Sequence, residues 1–276
     1  MKKIFILLII IFVMYTTAGC NHTNKIYYQG SNSLEIPMQA LADAYTHENP
    51  QIQVKLMGNG SDSFHISNEV IFGQSRQTTP EEESWIKKYG PVQKYIFCYG
   101  ALAIIVNCEN PIRVLNMEQL RKIYSGQINN WKDVGGYNNN IMVVSRGGRS
   151  GSEQYFEEKV LKGDKYTKYG YSICSNEDVV QIVSKDKFAI GFVEIGFVSD
   201  RVKLLALADN PGSPGILPER EHLQNKTYPL TRPLYLLIKS NAQPKVKDFL
   251  NYILSSEGQS VLENIQYAPI KQRNQD

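Results

Sequence analysis

The run YIFCYGALAIIVN, residues 95–107, constrains the fold more than any other stretch of the chain. It is rich in β-branched and aromatic residues, and at thirteen residues it is longer than an ordinary strand of about five or six. Such a run reads as a strand that crosses between two lobes. A second run of the same kind, YPLTRPLYLLIK, lies at 228–239. Two crossings make the first lobe discontinuous: residues 26–99 with 230–276 form lobe I, and residues 100–229 form lobe II. Each lobe then has the size of an ordinary domain.

The segments around these runs alternate between periods. IYYQGSNS reads as a strand closed by a Gly-Ser turn, and PMQALADAYTHENP carries Met38, Leu41, Ala42 and Tyr45 at helical spacing. Pro50 ends that helix and QIQVKLM alternates as a strand, giving β–turn–α–β, the unit of a parallel sheet. VIFGQSR is a further short strand. Residues 80–89 read as a helix, with Glu81, Glu82 and Glu83 early and Lys87 and Lys88 late, as the helix dipole favours. MEQLRKIYSG is helical, WKDVGG a turn, IMVVSR a strand, FAIGFVEIG a strand and PGSPGILP a loop. VKDFLNYILSSEGQSVLENI reads as one last helix with Val246, Phe249, Leu250, Ile253 and Leu254 on one face. The fold class is α/β.

Lys2 and Lys3 followed by the apolar stretch Ile4–Met14 and small residues Ala18 and Gly19 read as a secretory signal over residues 1–19. The ending at Cys20 resembles a bacterial lipobox, with Thr17 where Leu is usual. Cys20 is thus expected to carry a lipid, with residues 20–25 as a tether to the membrane and the body at the extracytoplasmic face of a bacterial envelope. The leader's two lysines account for two of the net +3 charges, leaving the body near +1. A near-neutral body argues against a nucleic-acid partner, which needs a basic face. Cys98, Cys108 and Cys174 have no metal-site spacing, and an odd count is no disulfide framework. Cys98 and Cys108 read as buried thiols, with one bridge among Cys98, Cys108 and Cys174 left open. No cofactor motif is visible, and nothing speaks for an enzyme. GRSGS lacks the second Gly of a nucleophile elbow. His22, His47, His65 and His222 sit in no triad-like or HExxH context.

The stretch SRGGRSGSEQYFEE, residues 145–158, sets two arginines and exposed backbone before a helix. Ser150 and Glu153 have capping-box spacing, with Gly151 and Ser152 in the first helical positions. A helix start carries about half a positive charge and unpaired N–H groups. Arg146 at the strand end can add a full charge and a bidentate fork. GSNS at 30–33 and GNGS at 58–61 follow two other strands. Three small-residue turns beyond strand ends are where open α/β sheets hold ligands. Arg149 points to solvent on this reading.

The set GSNSLEIP, GNGS, GQSR, MEQLRKIYSGQINNWKDVGG, IMVVSRGGRSGSEQYFEE, AIGFVEIG, YPLTRPLYLLIK and EGQ, in this order from about residue 26 to 270, resembles the phosphate-binding proteins of bacterial phosphate ABC transporters. The resemblance implies a two-lobed fold of the periplasmic-binding-protein type II kind, with mixed sheets flanked by helices and the ligand cleft between lobes. It implies a monomer that binds inorganic phosphate and hands it to ABC permease subunits. It places phosphate on Arg146, Ser150, Gly151 and Ser152 and on the turn Ser31, Asn32, Ser33 and Leu34, where Ser33 gives a hydroxyl and Leu34 a backbone N–H. Ser61 belongs to the second turn. Arg76 stands where members commonly place an Asp that accepts the ligand's proton. An arginine has no acceptor lone pair, so Arg76 enters the set as a cation and Asp62 is the nearest substitute acceptor. Arg76 and Phe64 together keep a second reading open: a diverged surface module for sulfate or another oxyanion, acting as a sensor.

Overall fold

The computed structural model describes residues 24–58, 64–147 and 150–270; Cys20, Ser61, Asp62 and Arg149, with the leader, lie outside the described residues. The chain starts with strand β1 (Asn24–Gly30), one 3-10 turn (Asn32–Leu34), helix α1 (Glu35–Glu48), β2 (Ile52–Leu56) and β3 (Val70–Gln74). Helix α2 (Pro80–Tyr89), β4 (Val92–Asn107), β5 (Val114–Asn116), α3 (Met117–Tyr124) and β6 (Met142–Arg146) follow. Helix α4 (Gly151–Phe156) runs on into a π-helical turn (Glu157–Leu161). Next come β7 (Tyr171–Ile173), α5 (Asn176–Lys185), β8 (Ala189–Glu194), β9 (Val202–Leu204), β10 (Ala206–Ala208) and α6 (Arg220–Gln224). Strand β11 (Thr231–Lys239), helices α7 (Pro244–Leu254) and α8 (Ser256–Glu263), and β12 (Ala268–Pro269) complete it.

The architecture is α/β, a mixed sheet flanked by helices. Its main path runs β2-β1-β3-β11-β4-β8-β6-β7, with β9 and β12 also on β4 and a small parallel pair β5-β10 apart. β1 is parallel to β2 and β3, and β6 is parallel to β7 and β8. β4 is antiparallel to all its partners and changes them midway. It pairs with β11 from Val92 to Ala101 and with β8 from Leu102 to Val106. One continuous strand therefore belongs to both halves of the sheet. β11 stays with the first half; it is the chain just before it, where Leu102 N donates to Leu230 O and Tyr228 Oη to Leu102 O, that passes the changeover.

Local sequence explains the helix limits. Thr79 caps α2 with a full capping box to Glu82, and Pro80 sits at its first position. α1 buries Met38, Leu41, Ala42 and Tyr45, the stripe that its spacing predicts. The last helix is two helices rather than one. Ser255 turns extended (φ −75°, ψ 170°) and its Oγ accepts from Gly258 N at 3.3 Å, capping α8. Gly258 lets α8 fold back against the end of α7, since a Cβ there would overlap the Tyr252 carbonyl. Cys98 is buried as expected, but Cys108 is exposed, because β4 ends at Asn107 and the chain turns outward. All three described cysteines are free thiols.

Two packing features place the turns that matter below. Gly30 ends β1 at φ +124°, opposite Gly73 of β3. A Cβ on Gly30 would fall on the Gly73 carbonyl, the group that accepts from Ser31 N at 2.9 Å. Farther on, Phe156 of α4 stacks on Phe192 of β8, ring centroids 4.1 Å apart and 7° from parallel. That stack ties the last residue of α4, one turn after Ser152, to β8 two residues before Glu194. Gly30→Ala, which combines an unfavourable backbone region with overpacking, is expected to cost about 3 kcal/mol. Urea unfolding of the variant beside the wild type measures it.

Candidate functional site

Three elements bring small polar residues to the place where β4 changes partners. Beyond β1, Ser31 caps the 3-10 turn: its Oγ accepts from Ser33 N at 3.3 Å and shares a hydrogen bond with Ser75 Oγ at 2.9 Å. Ser33 is buried, and its Oγ lies 2.8 Å from Ser152 Oγ. Ser152 is fully buried in the first turn of α4, which Ser150 caps by accepting from Glu153 N at 3.1 Å. The starts of α4 and of the 3-10 turn leading into α1 thus meet through two serine hydroxyls.

Beneath them lies a chain of buried charges. Arg232, on β11 directly opposite Gly100 of β4, is 1% exposed. Its Nη2 donates to Ser152 Oγ at 2.9 Å and to Glu194 Oε2 at 2.5 Å, and its Nη1 to the carbonyls of Ser75 (3.1 Å) and Gly151 (3.4 Å). Glu194 ends β8 with no exposure, and its other oxygen accepts from Ala101 N at 3.1 Å. A Cβ at Gly100 would collide with that oxygen, so glycine is what lets the carboxylate reach the backbone of β4. Burial pushes the Glu194 carboxyl up, while Arg232 pulls it down.

Arg146 closes the chain. At the end of β6 and 1% exposed, it donates through Nη1 to Asn176 Oδ1 and through Nη2 to Cys174 O at 2.6 Å. Asn176 Oδ1 also accepts from Glu194 N at 3.2 Å, which joins the two arginines into one network. Burial, then the charge of Arg232, pushes the Arg146 guanidinium down to about 10. It stays charged at neutral pH, but it is paired only with neutral oxygens here. Arg146 Nε, Arg232 Nε and Asn176 Nδ2 are buried donors without a partner. A polar hydrogen held out of water without an acceptor costs free energy. Two guanidiniums against one carboxylate, with spare donors and rotatable hydroxyls, make a cluster suited to a small tetrahedral oxyanion.

Of the expected residues, Ser31, Ser33, Gly151 and Ser152 come together directly, and Arg146 joins them through Asn176 and Glu194. Ser150 acts as the helix cap. Asn32 is half-buried beside them, its Oδ1 without a partner. Leu34 departs from expectation: its N–H is spent on Ser31 O at 3.0 Å inside the 3-10 turn, and its side chain is core. Arg76 departs too. Its guanidinium grips Glu82 through two 2.8 Å bonds and donates to Gln77 O, bracing the start of α2 instead of facing the serines. Arg232, Glu194, Asn176 and Ser75 are members of the cluster that the sequence reading missed.

With this geometry in place, comparison with known proteins is informative. A family model described as a PBP superfamily domain matches residues 18–257. The chain belongs to the PBP superfamily. Within that superfamily it is 26% identical over 251 residues to the phosphate-binding protein PstS of Bacillus subtilis, covering 90% of this chain and 81% of that one. A phosphate ABC transporter substrate-binding protein of Clostridium perfringens, solved with bound phosphate, superposes with a TM-score of 0.80 at 28% identity, over 90% of this chain and all of that one. An ABC-type phosphate transport receptor of Vibrio cholerae gives 0.69 at 29% identity over 89% of this chain and all of that one. No described helix is long and apolar enough to cross a membrane.

Glu194→Gln leaves a buried guanidinium without its counter-charge, and losses of this kind are about 3 kcal/mol. Denaturant unfolding is expected to show that loss for Glu194→Gln.

Proposed function

We propose that the protein binds inorganic phosphate at this cluster and delivers it to an ABC permease, as an extracytoplasmic receptor with no catalytic role. The observation that carries the reading is the pair of buried arginines, Arg146 and Arg232, each with an unpartnered Nε–H: Arg232 reaches the Ser33–Ser152 pair directly through Ser152, and Arg146 is tied to the same network through Asn176 and Glu194. A phosphate dianion offers acceptor lone pairs on every oxygen, and here it meets charged donors in a place shielded from water. The phosphate-binding relatives named above support the same ligand class. The reading of a diverged sensory module is not favoured: Arg76, one of the two departures that suggested it, is engaged by Glu82.

The proposed ligand set is Ser31, Asn32, Ser33, Arg146, Ser150, Gly151 and Ser152, extended by Arg232; Ser61 remains in it from the sequence pattern. Arg76 and Leu34 are left out. The lobes are proposed as residues 26–99 with 230–276 and residues 100–229, the ligand lying between them. Cys20 is proposed as the lipidated residue that holds a monomeric body at the membrane.

Titration calorimetry of the purified protein with phosphate tests this. Removing a buried charged donor costs about 100-fold or more in affinity, and Arg146→Ala is expected to show it. Ser152→Ala is expected to lose about tenfold, the worth of one hydrogen bond to a charged partner, whereas Arg76→Ala, which touches Glu82 and not the serine cluster, changes affinity by no more than about twofold. Absence of any phosphate heat or thermal shift at millimolar ligand overturns the proposal.

A further inference from the structure

Four acceptors, Ser152 Oγ, Glu194 Oε2 and the carbonyls of Ser75 and Gly151, all lie at the Nη ends of Arg232, and none of them holds its Nε. The guanidinium lies over the ring of Tyr155. The Arg232 guanidinium carbon sits 5.3 Å from the centre of the Tyr155 ring. The same tyrosine donates its hydroxyl to the Thr231 carbonyl, the residue before Arg232, at 2.8 Å. Tyr155 thus touches both the side chain and the backbone that place this arginine. It does so from α4, three residues after Ser152, whose hydroxyl accepts from Arg232 Nη2. Burial pushes the Tyr155 hydroxyl up to about 12 against the pull of Arg232, so it remains a donor at every pH where phosphate would be bound.

We infer that Tyr155 is a positioning residue: it clamps the tilt of Arg232 so that its free Nε–H and the Ser152 hydroxyl face the same oxyanion. The inference rests on the phosphate reading above. The clamp has two parts that substitution separates. Phenylalanine keeps the ring and loses the hydroxyl; leucine loses both.

The test is phosphate calorimetry on wild type, Tyr155→Phe, Tyr155→Leu, Arg232→Lys and the Tyr155→Leu/Arg232→Lys double variant, with unliganded melting for each. Misaiming one charged donor forfeits about tenfold in affinity, the worth of a hydrogen bond to a charged partner. Tyr155→Leu is expected to bind about tenfold more weakly, and Tyr155→Phe to recover most of that. In the Arg232→Lys background the leucine substitution is expected to cost nothing further, because an ammonium has no plane to orient. A side-chain NMR spectrum of the unliganded protein gives a second readout that needs no measurable affinity. The Arg232 Nε–H resonance, shifted by the ring current, is expected to be preserved in Tyr155→Phe and displaced in Tyr155→Leu. Wild-type affinity in Tyr155→Leu, an equal loss in both backgrounds, or an Arg232 resonance indifferent to the ring overturns the inference while leaving the phosphate reading intact. A wild-type protein that does not bind phosphate overturns both.

Discussion

Arg232 and Glu194 meet 2.5 Å apart with almost no exposure, at the point where β4 leaves β11 for β8. Removing two charges from water costs several kcal/mol for each ion, and their attraction offsets this only when the remaining donors and acceptors are also served. Much of the surrounding structure follows from that condition. Gly100 has no side chain because the carboxylate needs the neighbouring N–H of Ala101. Two carbonyls, from Ser75 and Gly151, face the guanidinium and take the Nη1 hydrogens, which leaves Nε alone without an acceptor. The pair is therefore less a source of stability than a fixed point around which small residues are required.

The stack of Phe156 on Phe192 works with that fixed point. Phe192 precedes Glu194 on β8 by two residues and faces the core beside it. Phe156 follows Ser152 by one turn of α4. An apolar contact on one side and a polar contact on the other hold the same two elements in register. The start of α4 and the end of β8 are set by both, so the serine and the carboxylate keep a constant separation.

What was legible in the sequence was local. The Gly-Ser turn after β1, the Ser150 cap and the acids and lysines of α2 each carry their signal within a few residues. The long apolar run also spoke for itself, because a strand that serves two halves of a sheet must exceed ordinary length. The network beneath the serines gave no such signal. Arg232 reaches Glu194 across 38 positions and Ser75 across 157. A lone charge inside an otherwise apolar strand, as in YPLTRPLYLLIK and FAIGFVEIG, was the clue available, since such a charge must find a partner to be buried. Arg76 misled in the opposite direction: its position in a pattern suggested a ligand, but Glu82, six positions on, satisfies it locally. The break at Ser255 was missed because VKDFLNYILSSEGQSVLENI keeps helical spacing on both sides of it. Helix α5 went unread although Ser175 caps it and Val179, Val180 and Val183 are buried along it.

The hydroxyl pair Ser33–Ser152 has a chemical property that the charged groups beneath it lack. A serine hydroxyl is amphoteric in hydrogen bonding and turns freely about its C–O bond. Each of the two can serve as the other's donor or acceptor, so the pair is content in isolation, with a net worth of about 1 kcal/mol. Rotation of both rotors converts the same two groups into a pair of donors with no movement of backbone. Neither a lysine nor a carboxylate could make that exchange, since one has no lone pair and the other no proton. The contact between the two turns is thus a reversible one by its chemistry: it holds the turns together on its own, and it surrenders its bond at small cost when something with stronger lone pairs comes between them.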